Sequence, residues 1–261
     1  MTGMLPKRVL GRTGLSVSVL GLGTVKFGRN TDVKYPRPYA LPDDGSAGRL
    51  LDEAAALGIN LLDTAPAYGS AEARLGRLLR ERRDHWVLCS KTGETHSDAG
   101  SSFDFSPEHT RFSVERSLKR LGTDRIDCLL VHSDGDDLAI LRRHGTLEAL
   151  AELKREGKIL SYGMSTKTVA GGLMAVAECD VVMVTLNVDD VENLTVIAAA
   201  RRRGCGVLVK KPLSSGRVSP ASVEERLRWA ATRLGVSAVV VGTLSHEHLT
   251  QNAQALASLT T

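Results

Sequence analysis

Eight apolar strand-like runs alternate with eight amphipathic helical stretches along this chain, and that strict order limits the fold more than any other feature. The strand runs are 18–22, 59–63, 86–91, 126–131, 159–164, 181–185, 206–210 and 238–241, short and rich in Val, Ile and Leu. The helical stretches are 46–57, 71–83, 107–121, 146–156, 168–178, 190–203, 220–234 and 246–258. Strand, helix and strand in repeating order make parallel neighbours with helices laid outside, and eight such units close a barrel. The expected class is α/β, a (β/α)8 TIM barrel with a short N-terminal β-hairpin over Arg8 to Val17, turning at Gly11 to Gly14. At 261 residues the chain matches the size of one such barrel, and without a linker or composition break it reads as a single domain, 1–261.

Local signals agree with these boundaries. Ser106–Pro107 and Ser219–Pro220 each pair an N-cap serine with a proline at the first helical position. Gly58, Gly122, Gly157, Gly204 and Gly235 stand at helix ends before the next strand. Two connections are long, 23–45 and 92–105, and both follow a strand end, so both are expected to overhang one face of the barrel.

Composition excludes several classes. The chain is 42% hydrophobic and 25% charged, an ordinary globular balance. Its net charge of +4 is scattered, and the Arg201–Arg203 run ends a predicted helix, where cations favour the dipole; nucleic acid is not an expected partner. The four cysteines have no C-x-x-C spacing, and Cys89 and Cys128 lie inside strand runs as small buried hydrophobes. No signal peptide or membrane span is expected, and a reducing, cytoplasmic location follows from the cysteine usage. His246 and His248 are two residues apart at a helix start, not the four of a helical zinc pair, so no metal is expected.

Four polar residues stand at or just past strand ends: Asp63, Tyr68 in the following loop, Lys91 and His132. The C-terminal face of a β/α barrel carries its chemistry, so these four are the catalytic candidates. A phenol with a pKa of about 10 donates poorly at neutral pH, and a neighbouring ammonium is expected to lower that value. A carboxylate such as Asp63 would hold the lysine charged, and His132 could place a substrate oxygen. That set suits proton delivery to an oxygen becoming an alcohol, and because no side chain supplies hydride, a nicotinamide cofactor is implied.

The motifs Leu10-Gly11-Arg12-Thr13-Gly14-Leu15, Asp63-Thr64-Ala65-Pro66-Ala67-Tyr68-Gly69, Ser90-Lys91 and Asp124 through His132 occur in an order that resembles the aldo-keto reductases over essentially the whole length. The resemblance implies Tyr68 as general acid, Lys91 and Asp63 as its support, and His132 orienting the carbonyl. On the cofactor side it implies Gly23 and Thr24; Ser165 and Thr166 holding the nicotinamide amide; Met183 and Lys210 where the family usually has Gln and an aromatic; Pro212, Leu213, Ser215 and Gly216 around the pyrophosphate; and Gly242, Thr243, Ser245, His248, Gln251 and Asn252 at the adenosine half. NADPH is favoured, with NADH as the alternative. The expected partner is a small carbonyl compound, and the default state is a monomer.

The replacements at Thr166, Met183 and Lys210 also motivate a second reading, a cofactor-binding regulatory or scaffold protein with little turnover. A third uses Lys91 covalently, as the Schiff-base residue of a phosphate-binding barrel. Substrate-lining candidates are Val25, Phe27, Tyr35 and Trp86, the first three in the first long loop.

Overall fold

The computed structural model describes residues 4–219 and 222–259. The expected hairpin is present as β1 (Lys7–Val9) and β2 (Ser16–Ser18), paired antiparallel. Alternating units follow: β3 (Leu20–Gly23), α1 (Asp44–Ala56), β4 (Leu61–Asp63), α2 (Ala71–Leu78) and β5 (Val87–Thr92). A second hairpin, β6 (Glu94–Ser97) and β7 (Gly100–Phe103), precedes α3 (Pro107–Leu121) and β8 (Ile126–His132). The chain continues through α4 (Asp137–Arg143), α5 (Thr146–Arg155), β9 (Ile159–Ser165), α6 (Val169–Glu178) and β10 (Val181–Thr185). It ends with α7 (Leu194–Arg203), β11 (Gly206–Lys210), α8 (Val223–Ala231), β12 (Ala238–Val241) and α9 (His246–Ala257).

Strands β3, β4, β5, β8, β9, β10, β11 and β12 form a closed parallel barrel, sealed where Val240 of β12 pairs with Gly21 of β3. The barrel interior is filled by Leu61, Cys89, Cys128, Leu130, Val181, Met183, Leu208, Ala238 and Val240, so it is packed core and not a pore. A larger apolar layer lies between the strands and the helices.

Hairpin β1–β2 plugs the N-terminal end of the barrel. Leu10 and Val17 join the interior cluster, and a Cβ on Gly11 would stand 2.2 Å from the backbone nitrogen of Gly206, the first residue of β11. Gly11 also has φ +56°, where a side chain adds strain to the clash. Gly11→Ala is therefore expected to destabilise the fold by more than about 1 kcal/mol, read as a lower midpoint of thermal unfolding. An unchanged midpoint would show that the hairpin does not press on the barrel end.

The eight barrel strands match the sequence expectation to within two residues at each end, and three differences elsewhere have physical causes. Helix α2 stops at Leu78 and not at residue 83, because Arg83 turns inward to donate to Trp86 O (2.8 Å), Arg125 O (3.0 Å) and Asp127 Oδ2 (2.8 Å). Helix α7 begins at Leu194 and not at 190, because Asn187 and Asp190 exchange backbone bonds in a tight turn and Asn187 Oδ1 accepts from Asp189 N. The 92–105 connection carries hairpin β6–β7 instead of irregular chain. Pro220, the first helical position of the start expected at Ser219–Pro220, lies outside the described residues, and α8 is seen from Val223. Among the described residues no helix is long and apolar enough to cross a membrane.

Candidate active site

Asp63 ends β4, Lys91 lies next to the end of β5 and His132 ends β8, so all three reach the same face of the barrel. Tyr68 comes from the β4–α2 loop, which is clamped from outside. Gly28 O would lie 2.1 Å from a Cβ on Gly69, and Arg29 Nη1 donates to Ala67 O (3.2 Å). Only glycine fits at position 69, where φ is +59°. Thr24 fixes the carboxyl end of β4 by donating through both its amide and its hydroxyl to Asp63 O (2.9 and 3.0 Å).

The four residues expected to act together are brought together. Lys91 Nζ is 2.5 Å from Asp63 Oδ1, donates to Thr64 O (2.9 Å), and stands 4.9 Å from the Tyr68 ring centroid. The Tyr68 and His132 rings meet edge to face at 6.3 Å. The Lys91 side chain is 2% exposed and that of Asp63 is 7%. Burial works against a charged amine here, yet Asp63, ahead of Tyr68 and Cys89, holds the Lys91 ammonium above its ordinary range. A lysine so paired is not a free nucleophile, and the covalent use of Lys91 loses its basis.

One electrostatic expectation is corrected. Burial pushes the Tyr68 phenol up to about 12; Lys91 opposes this, and Asp63 adds to it. The lysine lowers the phenol's pKa as anticipated, but desolvation is the larger effect, so the phenol lies above its ordinary value and not below it. Burial also lowers the His132 imidazole, against the raising influence of Glu94.

Residues on the expected cofactor side fall into three groups. Lys210 Nζ, at the end of β11, bridges Ser165 Oγ and Thr166 O at 2.8 Å each, and Thr166 N donates to Met183 O (3.0 Å). Burial, with Lys211 and Lys91 nearby, brings the Lys210 amine down to about 7. Met183 is 1% exposed in the barrel interior, so only its backbone takes part. The second group is the loop after β11, where Pro212 is buried, Leu213 packs on the outer core, and Ser215 has φ +60°. The third follows β12. Gly23 and Gly242 adjoin, Thr243 Oγ1 accepts from Ser245 N, and Ser245 Oγ caps α9 by accepting from His248 N (3.2 Å). His248 is exposed, Gln251 donates to Glu247 (3.1 Å), and Asn252 is buried.

The loop after β3 crosses this face. A Cβ on Gly242 would come 3.1 Å from the Tyr35 hydroxyl, and one on Gly216 would come 3.7 Å from Pro36 Cδ. Lys26 Nζ sits 4.2 Å above the Tyr35 ring. Of the other lining candidates, Phe27 is sealed in the outer core, and Trp86 precedes β5 at the opposite end of the barrel, so neither lines the mouth.

Sequence reasoning missed Glu94. From β6 its Oε2 lies 2.7 Å from His132 Nδ1, and its Oε1 accepts from Ser101 Oγ (2.6 Å). An acidic residue three positions after Lys91 was the available signal, but nothing local showed which way the loop folds.

A family model described as the aldo/keto reductase family matches residues 19–227. The uncharacterized oxidoreductase YqkF of Bacillus subtilis is 35% identical over 61% of this chain and 48% of its own length, so the chain spans about half of that relative. Pyridoxal 4-dehydrogenase of Microbacterium luteolum is 29% identical over 86% of this chain and 75% of its own. A solved structure from Pseudomonas aeruginosa, provisionally assigned as an aldo-keto reductase, is 51% identical with a TM-score of 0.89, covering 96% of this chain and 94% of its own. With a closed eight-stranded barrel, the four polar residues at its mouth and a family match over most of its length, the chain belongs to the aldo/keto reductase family.

Proposed function

We propose that the protein is an NADPH-dependent oxidoreductase that interconverts a small aldehyde or ketone with its alcohol. Tyr68 gives the proton to the carbonyl oxygen, Lys91 and Asp63 support it, and His132 places the substrate. The observation that carries this reading is the buried Lys91–Asp63 pair, 2.5 Å apart, with Lys91 Nζ 4.9 Å from the centre of the Tyr68 ring. A protonated phenol beside a fixed ammonium is a donor whose anion is stabilised as it forms.

The donor set fits a dinucleotide. Thr166 Oγ1 is buried without a partner, and it stands beside Ser165 and Lys210, where an amide would meet both donors and acceptors. Ser165 and Thr166 would hold the nicotinamide end, Pro212 to Gly216 the phosphates, and Gly242 to Asn252 the adenosine. The group would supply hydride when bound. We favour NADPH over NADH because the chain carries a net charge of +4, which favours the more anionic cofactor.

Titration of the intrinsic fluorescence with each nucleotide tests this choice. NADPH is expected to bind about tenfold more tightly than NADH, a difference of about 1.4 kcal/mol. Tighter binding of NADH would reverse the preference, and binding of neither would remove the function.

A further inference from the structure

Strand β11 ends in a charge, Lys210, at the position where the family usually has an aromatic ring. Lys210 pairs in register with Thr185 of β10, yet its side chain passes over that strand to the end of β9. There Nζ donates to Ser165 Oγ and to Thr166 O, at 2.8 Å each. Met183 of β10 is packed in the barrel interior and adds no charge to this bridge.

An ammonium has three hydrogens, and two of them are used here. Ser165 Oγ accepts one and so keeps its own hydrogen to donate. Thr166 Oγ1, next in the chain, is buried without a partner. A carboxamide held at Ser165 and Thr166 would bring the ring it is attached to beside the Lys210 charge. That charge is also felt at His132, and the charge of Lys91 is felt at Lys210, so the cation stands between the amide site and the acid set. The two forms of a nicotinamide nucleotide differ at this ring by one unit of charge. The oxidised ring is a pyridinium cation, and the reduced ring is a neutral dihydropyridine. Like charges close together in a part-buried site repel far more strongly than in water.

We propose that Lys210 is a specificity-determining residue for the redox state of the nucleotide: its ammonium repels the pyridinium of NADP+ and spares the neutral ring of NADPH, so the reduced form binds more tightly. The proposal deepens the reading of the protein as a nicotinamide-dependent oxidoreductase and rests on it. The groups that face Lys210 are Lys211 beside it, Lys91 of β5, His132 of β8, Asp137 of α4 and Lys167 after β9. Asp137 is the one carboxylate among them, and it already accepts from Thr168 N and Thr168 Oγ1 (2.7 Å each) and Lys167 N (3.0 Å). A second cation therefore finds no free counter-ion in this set. Burial, Lys211 and Lys91 bring the Lys210 amine down to about 7. Repulsion is full below that value, where the amine is charged, and is lost as pH rises through it. The Kd for NADP+ should therefore fall with rising pH relative to the Kd for NADPH.

Calorimetric titration of the full chain with NADP+ and with NADPH, from pH 6 to 9, tests this. The ratio of the two Kd values cancels what the nucleotides share, their phosphates and adenosine. In the native protein the ratio of Kd for NADP+ to Kd for NADPH is expected to fall about tenfold over this range, about 1.4 kcal/mol of coupling. At pH 7, NADP+ is expected to release more protons than NADPH, read from the binding heat in buffers of different ionisation enthalpy. Lys210→Arg stays charged throughout and is expected to hold the ratio at its acid value. Lys210→Met is expected to hold it at its alkaline value. The native profile decides the matter even if neither variant folds. A native ratio constant within about twofold, or a Lys210→Met protein that keeps the native slope, overturns the proposal and leaves the proposed function standing. Binding of neither nucleotide defeats both.

Discussion

Tyr68→Phe is expected to lower kcat for aldehyde reduction about 10²- to 10⁴-fold, the contribution of one positioned acid, with little change in the Kd for NADPH. The ring keeps its place, because it is set by the loop clamp at Gly28 and Gly69 and by Lys91 beneath it. Only the hydroxyl is lost. Nearby donors are poor substitutes: Lys91 is committed to Asp63 and Thr64 O, and Lys210 to Ser165 and Thr166. Stopped-flow or steady-state loss of NADPH absorbance measures the effect. Turnover within about twofold of the native rate would remove Tyr68 from the acid role.

Lys91→Met should be the most destabilising single change in the site. It leaves the Asp63 carboxylate, 7% exposed, without its cation, a loss of about 3–5 kcal/mol. Asp63→Asn strands the ammonium in the same way. Because each change removes the same interaction, the double variant is expected to lose less than the sum of the singles, by about 1–3 kcal/mol. Chemical denaturation of the four proteins gives this coupling. Additive losses would mean that the pair is not a unit. Lys91→Met should also lower turnover, since the phenol loses the charge that stabilises its anion.

Much of the fold and of the candidate site is legible in the sequence alone. The eight barrel strands show because each is a short apolar run of branched residues, and the catalytic candidates show because strand ends mark the working face. Asp63, Lys91 and His132 needed no more than that. Hairpin β6–β7 did not show: Glu94-Thr95-His96-Ser97 and Gly100-Ser101-Ser102-Phe103 are half-exposed and mostly polar, so no alternation marks them as strands. Helix α4, Asp137–Arg143, is seven residues long, too short for a periodic signal. Glu94 was hidden for a related reason, since its importance depends on how an overhanging loop folds back across the strands. The pKa of Tyr68 was misread because sequence shows which charges are near a phenol but not how much water burial removes from it.

The cofactor side was less legible than the acid. Lys210 binds Ser165 and Thr166, a contact between two strand ends that motif order does not reveal. The crossing of Tyr35 and Pro36 toward Gly242 and Gly216 likewise depends on the path of a long loop.

In the proposed function a buried phenol–ammonium–carboxylate set delivers a proton to a carbonyl oxygen, and a bound nicotinamide would supply hydride to its carbon. Benzaldehyde incubated with cofactor deuterated at the transferable C4 position tests it most directly, with the product analysed by mass spectrometry. The native protein should yield benzyl alcohol with one deuterium at the carbinol carbon, and Tyr68→Phe should yield the same product far more slowly at equal nucleotide saturation. Unlabelled alcohol from the native protein, or labelled alcohol formed equally fast by the variant, would contradict it.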